Sequence, residues 1–462
     1  MGCNSDFGFD CSVISEFRTN CPKVLRRLLF LVLTTSALLT ASAMAQPQGA
    51  SVPSHFDVKT AVDAYLNSVP PAARARSDAY YEGGYWMQLL DFLASIAVCL
   101  LLLTTSASAK MRDLAERWTR FKPLQTLLYW LQFLLITTVL QLPLELYEGF
   151  FRERTYGFMN QTFAGWAGDQ LIGLIVSAIL GGVFVIALFG VVRRLQRTWW
   201  IWGALVSIVF LMITVLISPV YIAPLFNRYT KLQDPQITQP ILSMARANGI
   251  PATDVWEVDA SKQSNRVSAN VSGFLGTERI TLNDNLLRRC TLPEIATTMG
   301  HEMGHYVLHH IYKSILFFGI EALVFFGFLR WSLNWTLARW GETWGIRSIG
   351  DTAVLPLVVL LASIFFFVAT PVNNSWIRTE EYEADIFGLN AAREPDAEAR
   401  VDLMLGEYRK LDPSPIEEII FYDHPSGRTR ITAAMRWKAE HLNEVPPYSG
   451  SSNDKPTTVT HP

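Results

Sequence analysis

Apolar residues dominate six stretches of the chain, at roughly 86–107, 124–145, 169–191, 199–223, 314–333 and 353–372. Each approaches or exceeds the length of about 20 residues that a helix needs to cross a bilayer core. Trp199, Trp200 and Trp202 head the fourth stretch, as in an interfacial aromatic belt. A shorter apolar run, Leu28 to Leu39, follows Lys23, Arg26 and Arg27 and precedes Ala41-Ser42-Ala43-Met44-Ala45. Basic, then apolar, then small is the order of a secretory signal, cleaved or kept as an anchor.

Between the fourth and fifth runs the pattern changes. Asp234 and Pro235 open a helix as N-cap and first residue, and Gly249 with Pro251 closes it. Val255 to Asp259, Ser268 to Val271 and Arg279 to Asn283 alternate as short strands do. Thr291 and Glu294 then form a capping box ahead of Ile295, Ala296 and Met299, which starts another helix. The predicted organisation is a signal or anchor (1–45), an extramembrane segment (46–85) and four transmembrane helices (86–223). A soluble domain (224–313), two more transmembrane helices (314–372), a second soluble segment (373–445) and a disordered Pro/Ser/Thr-rich tail (446–462) follow.

Composition agrees with a membrane protein that carries some soluble mass. Of 462 residues, 50% are hydrophobic and 17% charged, against about 25% charged in soluble domains, and mean hydropathy is +0.21. A net charge of −2 leaves no nucleic-acid footprint. Cys3, Cys11, Cys21, Cys99 and Cys290 form neither a disulfide framework nor a metal site. Basic residues set the orientation. Lys110, Arg112, Arg117, Arg120 and Lys122 follow the first run, and Arg193, Arg194 and Arg197 the third. Both loops are expected on the cytoplasmic side, which puts 224–313 on the other. In a bacterium this means an inner-membrane protein whose soluble domain faces the periplasm.

The predicted helix after Thr291 carries His301-Glu302-Met303-Gly304-His305. Histidines four residues apart point the same way on a helix, so H-E-x-x-H can hold Zn²⁺ with the Glu as general base. Catalytic zinc takes three protein ligands, so one is missing. After the last apolar run, Glu380, Glu381, Glu383 and Asp385 supply carboxylates on a predicted helix. Glu381 and Asp385 share a face at i and i+4, so one can ligate while the other accepts a ligating imidazole's N–H. His309 and His310 are expected to shape the zinc helix's end, and His424 lies in a polar loop before Pro425.

Beyond that motif, the chain resembles the type I CAAX prenyl proteases, integral-membrane zinc peptidases that include the a-factor converting enzyme. Leu142-Pro143-Leu144 with Tyr147, Gly157 to Thr162, Tyr221 to Asn227 and Asp259 to Ser264 are similar to family segments. So are Glu381-Tyr382-Glu383-Ala384-Asp385, and His424-Pro425 followed by Arg430-Ile431. The resemblance implies a mainly α polytopic membrane protein, with six or seven helices enclosing a chamber and a small α+β zincin-type domain. It implies one Zn²⁺ held by His301, His305 and Glu381, with Glu302 as general base and His424 stabilising the oxyanion. Asp385, Arg378 and Arg430 would support the ligands, and Ser268-Ala269 would lie on a substrate-facing edge strand. The chain departs from the family at Ile377 (Ser), Ser268 (Asn) and Gln263 (Arg). The implied reaction is peptide-bond hydrolysis at the bilayer, and the periplasmic side favours misfolded or short membrane-associated peptides as substrates. The alternatives are a heat-shock-type membrane zinc protease and a non-enzymatic membrane protein with a decayed site.

Overall fold

The structure is a computed structural model and describes residues 56–272 and 279–444. The signal or anchor at 1–45 and the tail at 446–462 lie outside the described residues. Helix α1 (Val58–Ser68), capped by Asp57, leads to Pro70-Pro71, where the long helix α2 (Pro71–Thr104) begins. Proline suits a first helical turn, because its missing N–H would have had no partner there. The helix therefore starts at Pro71, 15 residues ahead of the apolar run that begins at 86 and inside the predicted extramembrane segment.

A short amphipathic helix, α3 (Ala107–Trp118), precedes α4 (Lys122–Leu146). The latter continues through a widened turn, Tyr147–Arg152, just after Pro143. Helices α5 (Phe163–Arg194) and α6 (Trp199–Ile217) follow. The second membrane pair is α10 (His310–Trp340) and α11 (Leu355–Ala392). Among the described residues, six helices are long and apolar enough to cross a membrane. The most apolar window of Trp199–Phe226 contains no buried residue, so its leucines and valines need lipid to cover them.

Between the two membrane groups lies a four-stranded sheet of order β1-β2-β4-β3. Its strands are β1 (Tyr229–Lys231), β2 (Val255–Val258), β3 (Ala269–Ser272) and β4 (Arg279–Asn283). The pair β2 and β4 runs parallel, and the two outer pairings are antiparallel. Helix α7 (Pro235–Ala247), capped by Asp234 as predicted, crosses from β1 to β2. Helix α8 (Asp284–Arg289) leads to α9 (Leu292–Val307), which carries the H-E-M-G-H residues. Thr291 N–H donates to Glu294 at 2.8 Å, so the capping box forms as expected. Ile241, Ile280, Leu282, Ile295, Met299 and Met303 make the core between sheet and helix. Helices α12 (Pro395–Leu405), α13 (Pro415–Phe421) and α14 (Gly427–Glu440) close the chain, α14 packing on α1 through Leu66, Ile431 and Met435.

The two ends of the long helices differ. At one end Tyr85 of α2 stacks on Phe421 at 3.8 Å, beside the α13–α14 loop. At the other, Arg112 pairs with Asp351 at 2.5 Å and Arg193 donates to the Gly350 carbonyl. The segment ahead of α5 meets the sheet domain, Asn160 N–H donating to the Gln263 carbonyl at 3.0 Å, so the basic loop at the far end of α5 sits away from the sheet.

Candidate metal centre and active site

The site forms where α9 crosses α11, and small residues permit the crossing. A Cβ on Gly388 would lie 2.8 Å from the His301 backbone nitrogen, and one on Gly304 3.1 Å from the Ala384 Cα. Gly300 meets Gly388 in the same way, at 3.1 Å. Each helix thus presents small residues four apart, Gly300 and Gly304 against Ala384 and Gly388. The backbones touch there, as in small-xxx-small helix pairs. The predicted acidic helix lies against this contact with Glu380, Glu381 and Asp385 all buried.

His301 Nε2 and His305 Nε2 are 3.1 Å apart. Glu381 Oε2 is 3.2 Å from the first, and its Oε1 3.5 Å from the second. A tetrahedron with ligands about 2.05 Å from its centre has edges of about 3.3 Å, so the three side chains fit a zinc ion. Glu381 Oε2 is also buried with no well-formed hydrogen bond. Among the described residues this is the group of histidines and carboxylates spaced to hold a metal. His424 Nε2 lies 3.3 Å from Glu381 Oε2, and its Nδ1 2.8 Å from Asp423.

The outer nitrogens of the two histidines are both occupied. His301 Nδ1 meets Asp385 Oδ1 at 2.8 Å, and Asp385 is gripped by Arg430, whose Nε donates at 2.9 Å. Arg430 also approaches Asp402 at 3.1 Å and Glu398 at 3.5 Å, and Thr297 hydrogen-bonds Glu398. His305 Nδ1 lies 2.9 Å from His310 Nδ1, and His310 Nε2 3.1 Å from Glu383. Sequence reasoning gave His310 no such partner. What creates the contact is His309, at φ +60° between α9 and α10. This left-handed residue breaks the helix and turns His310 back onto His305; a non-glycine there is uncommon, although histidine is one of the residues enriched in that region.

Electrostatics follow from this packing. Burial pushes Glu302 up to about 7, with the Glu381 charge adding to it. Burial and the neighbouring His301 push His305 down to about 4, which favours the neutral ring, the form that can bind a metal. Burial opposes charge on His301, yet hydrogen bonds to Asp385 and Glu381 hold its pKa well above the usual value. Carboxylates that favour a proton there also favour a cation between the rings.

Arg378 serves the loop. Its Nη1 donates to the carbonyls of Glu418 and Tyr422, at 2.8 and 2.5 Å, and so ties the approach to His424 onto α11. Of the predicted edge pair, Ala269 opens β3, an outer strand of the sheet. Ser268 lies just before it, its carbonyl accepting from Asn283 N at 3.0 Å.

The family model described as the CAAX prenyl protease N-terminal region, five membrane helices, matches residues 56–228, and that of peptidase family M48 matches 231–438. An uncharacterized metalloprotease, YhfN of Bacillus subtilis, is 31% identical over 79% of this chain and 88% of its own. CAAX prenyl protease 1 of Saccharomyces cerevisiae is 26% identical over 64% of this chain and 69% of its own. The crystal structure of S. mikatae Ste24p superposes with a TM-score of 0.67 at 19% identity, covering 90% of this chain and 99% of that one. At that identity the likeness is one of fold. With the metallopeptidase models matched across most of the chain, the non-enzymatic alternative falls, and the chain belongs to the M48 peptidases, as a multi-pass membrane metalloendopeptidase of the type I CAAX protease kind.

Proposed function

We propose that His301, His305 and Glu381 hold one zinc ion per chain, that Glu302 is the general base, and that the substrates are misfolded or short membrane-associated peptides. The observation that carries the reading is the close spacing of the two Nε2 atoms, 3.1 Å apart, with one Glu381 oxygen 3.2 Å from His301 and the other 3.5 Å from His305, and with Glu302 on the helix of both histidines. Zinc bound there would supply a Lewis acid for the scissile carbonyl and the attacking water.

The chain's own residues do the rest. Glu302 takes the proton of the attacking water and passes it to the leaving amine, a task suited to a carboxyl whose pKa burial has raised. His424, across from His301 and His305, donates to the oxygen that becomes negative. Asp385 accepts from His301 Nδ1 and thereby leaves Nε2 free to ligate, while Arg430 holds Asp385. Arg378 fixes the loop that carries His424. The free side of β3, beginning at Ala269 with Ser268 just before it, offers an extended peptide backbone partners.

The orientation is proposed from the basic loops. They gather at the end of the bundle away from the sheet, and the positive-inside rule puts that end in the cytoplasm. The active site would then face the periplasm across a bacterial inner membrane. Reporter fusions at position 270 and after 440 test this; a cytoplasmic reporter active at both overturns it. For the chemistry, Glu302→Gln should lower kcat at least about 10²- to 10⁴-fold and still bind zinc by elemental analysis. Full activity in that variant would remove Glu302 as the base. Comparing membrane peptides between wild-type and Glu302→Gln cells identifies what is cut.

A further inference from the structure

A cavity of about 450 Å³ opens at Asp423, the residue before His424, within the size range of small-ligand sites. Tyr81, Tyr85, Arg152, Arg266, Arg409 and Asp423 are among the residues that line it. Three guanidinium groups thus face one carboxylate, and that carboxylate, Asp423, is engaged by the His424 ring. The arginines differ in what they have left to give. Arg152 lies over the Tyr80 ring at 4.1 Å and donates to the Tyr80 carbonyl. Arg266 donates to the Tyr80 hydroxyl at 2.6 Å and pairs with Glu153 at 2.7 Å. Arg409, half-buried between α12 and α13, makes no hydrogen bond and no ion pair within 4 Å among the described residues, and its charge acts on Asp423 and Tyr81 across the cavity. Its fork of donors remains free within an aromatic-walled cavity.

We propose that Arg409 and this cavity form a substrate subsite for a carboxylate group, next to His424 in the peptide path. The proposal rests on the reading that a peptide lies between the metal ligands and His424. A guanidinium that makes no hydrogen bond of its own can match a carboxylate in two parallel hydrogen bonds, and Arg152 and Arg266, both paired with Glu153, line the same cavity without taking up that fork. The carboxylate can come from an Asp or Glu side chain or from the peptide's own C-terminus. Either would be held in the cavity whose wall includes Asp423, the residue before His424.

The test uses the full chain purified in detergent and one peptide that it cuts, prepared in matched forms. One pair differs by a free C-terminal carboxylate against a carboxamide. The other carboxamide peptides carry Asp or Asn at successive positions after the cleaved bond. Wild type should favour the carboxylate member of one pair by about tenfold or more in kcat/KM, mainly through KM. That ratio should fall towards one in Arg409→Gln and stay intermediate in Arg409→Lys. The pair that responds names the source of the carboxylate. A wild type indifferent to every pair, or an Arg409→Gln protein that keeps the ratio, overturns the subsite alone. So does a variant that loses charged and neutral peptides alike. A Glu302→Gln protein that still cuts the same peptide at the wild-type rate overturns the reading of the metal site on which the peptide path rests.

Discussion

His301 and His305 lie on one face of one helix, yet their outer nitrogens meet different surroundings. His301 is backed by Asp385, Arg430, Glu398 and Asp402, all of them buried. Its side chain is 11% exposed. The His305 side chain is 28% exposed, and its support runs outwards through His310 to Glu383 and Lys313, which are both over 40% exposed. If Nε2 of His305 is to ligate, its Nδ1 carries the proton and donates to His310 Nδ1. His310 must then be protonated on Nε2 and donate to Glu383. One imidazole is thus fixed by charge in a dry interior, the other by a relay of neutral rings that ends in water. Breaking a buried pair strands a charge, whereas breaking an exposed one lets water replace it. The first histidine is expected to be set rigidly and the second to be adjustable.

The largest effect should come from the buried side. Asp385→Ala removes the partner of both His301 Nδ1 and Arg430, at a cost of about 3–5 kcal/mol for an uncompensated buried charge. A clear fall in Tm in detergent, together with reduced zinc per chain, is the expected result. An unchanged Tm with full zinc would show that Glu398 and Asp402 alone satisfy Arg430, and the contrast between the two histidines would lose its basis. Next, His310→Ala should weaken zinc about 10- to 100-fold in a chelator competition, as loss of an orienting partner does, with a smaller change in Tm. Equal losses of stability in the two variants would break the distinction.

Much of this arrangement is legible in the residues. The capping box at Thr291 and Glu294 fixes where α9 starts, and the four-residue spacing fixes which way His301 and His305 point. That Glu381 and Asp385 share one face of α11 follows from the same spacing. Other parts needed tertiary structure. Glu398, Asp402 and Arg430 are brought together by packing of α11, α12 and α14, and nothing local marks them as partners. β1 has three residues and no alternation to betray it. The close crossing, by contrast, left a signal: Gly300 with Gly304, and Ala384 with Gly388, are small residues at i and i+4 flanking the proposed ligands on both helices. His310 left one too, in a second histidine five residues after His305, but only the left-handed turn at His309 gives that spacing meaning.

The buried side has a pH signature that sharpens the comparison. Burial raises the Asp402 carboxyl well above its usual range, and the charges of Glu398 and Asp385 add to the effect against the pull of Arg430. The folded chain therefore keeps a proton that the unfolded chain releases from about pH 4 upwards. Stability from this group is complete below that pH and is lost as pH rises towards the folded pKa, at no more than about 1.4 kcal/mol per pH unit. Asp402→Asn cannot titrate. Its Tm relative to wild type should climb as pH rises across that window, and a difference independent of pH would mean that Asp402 is ionised in the folded protein.

The smallest effect should come from the outer end of the exposed relay. The Glu383–Lys313 pair is 2.7 Å long but 44% and 41% exposed, and such pairs contribute about 0–1 kcal/mol. Glu383→Gln keeps a carbonyl oxygen that can accept from His310 Nε2, so the relay to His305 survives without its charge. Zinc affinity should drop less than tenfold, and raising salt to about 1 M should shrink even that difference, because screening acts on the exposed charge and not on the retained hydrogen bond. A loss as large as that of Asp385→Ala, insensitive to salt, would mean that the Glu383 charge is felt at the metal site through His310. The two histidines would then be held alike, and the difference in exposure between them would have no consequence for zinc.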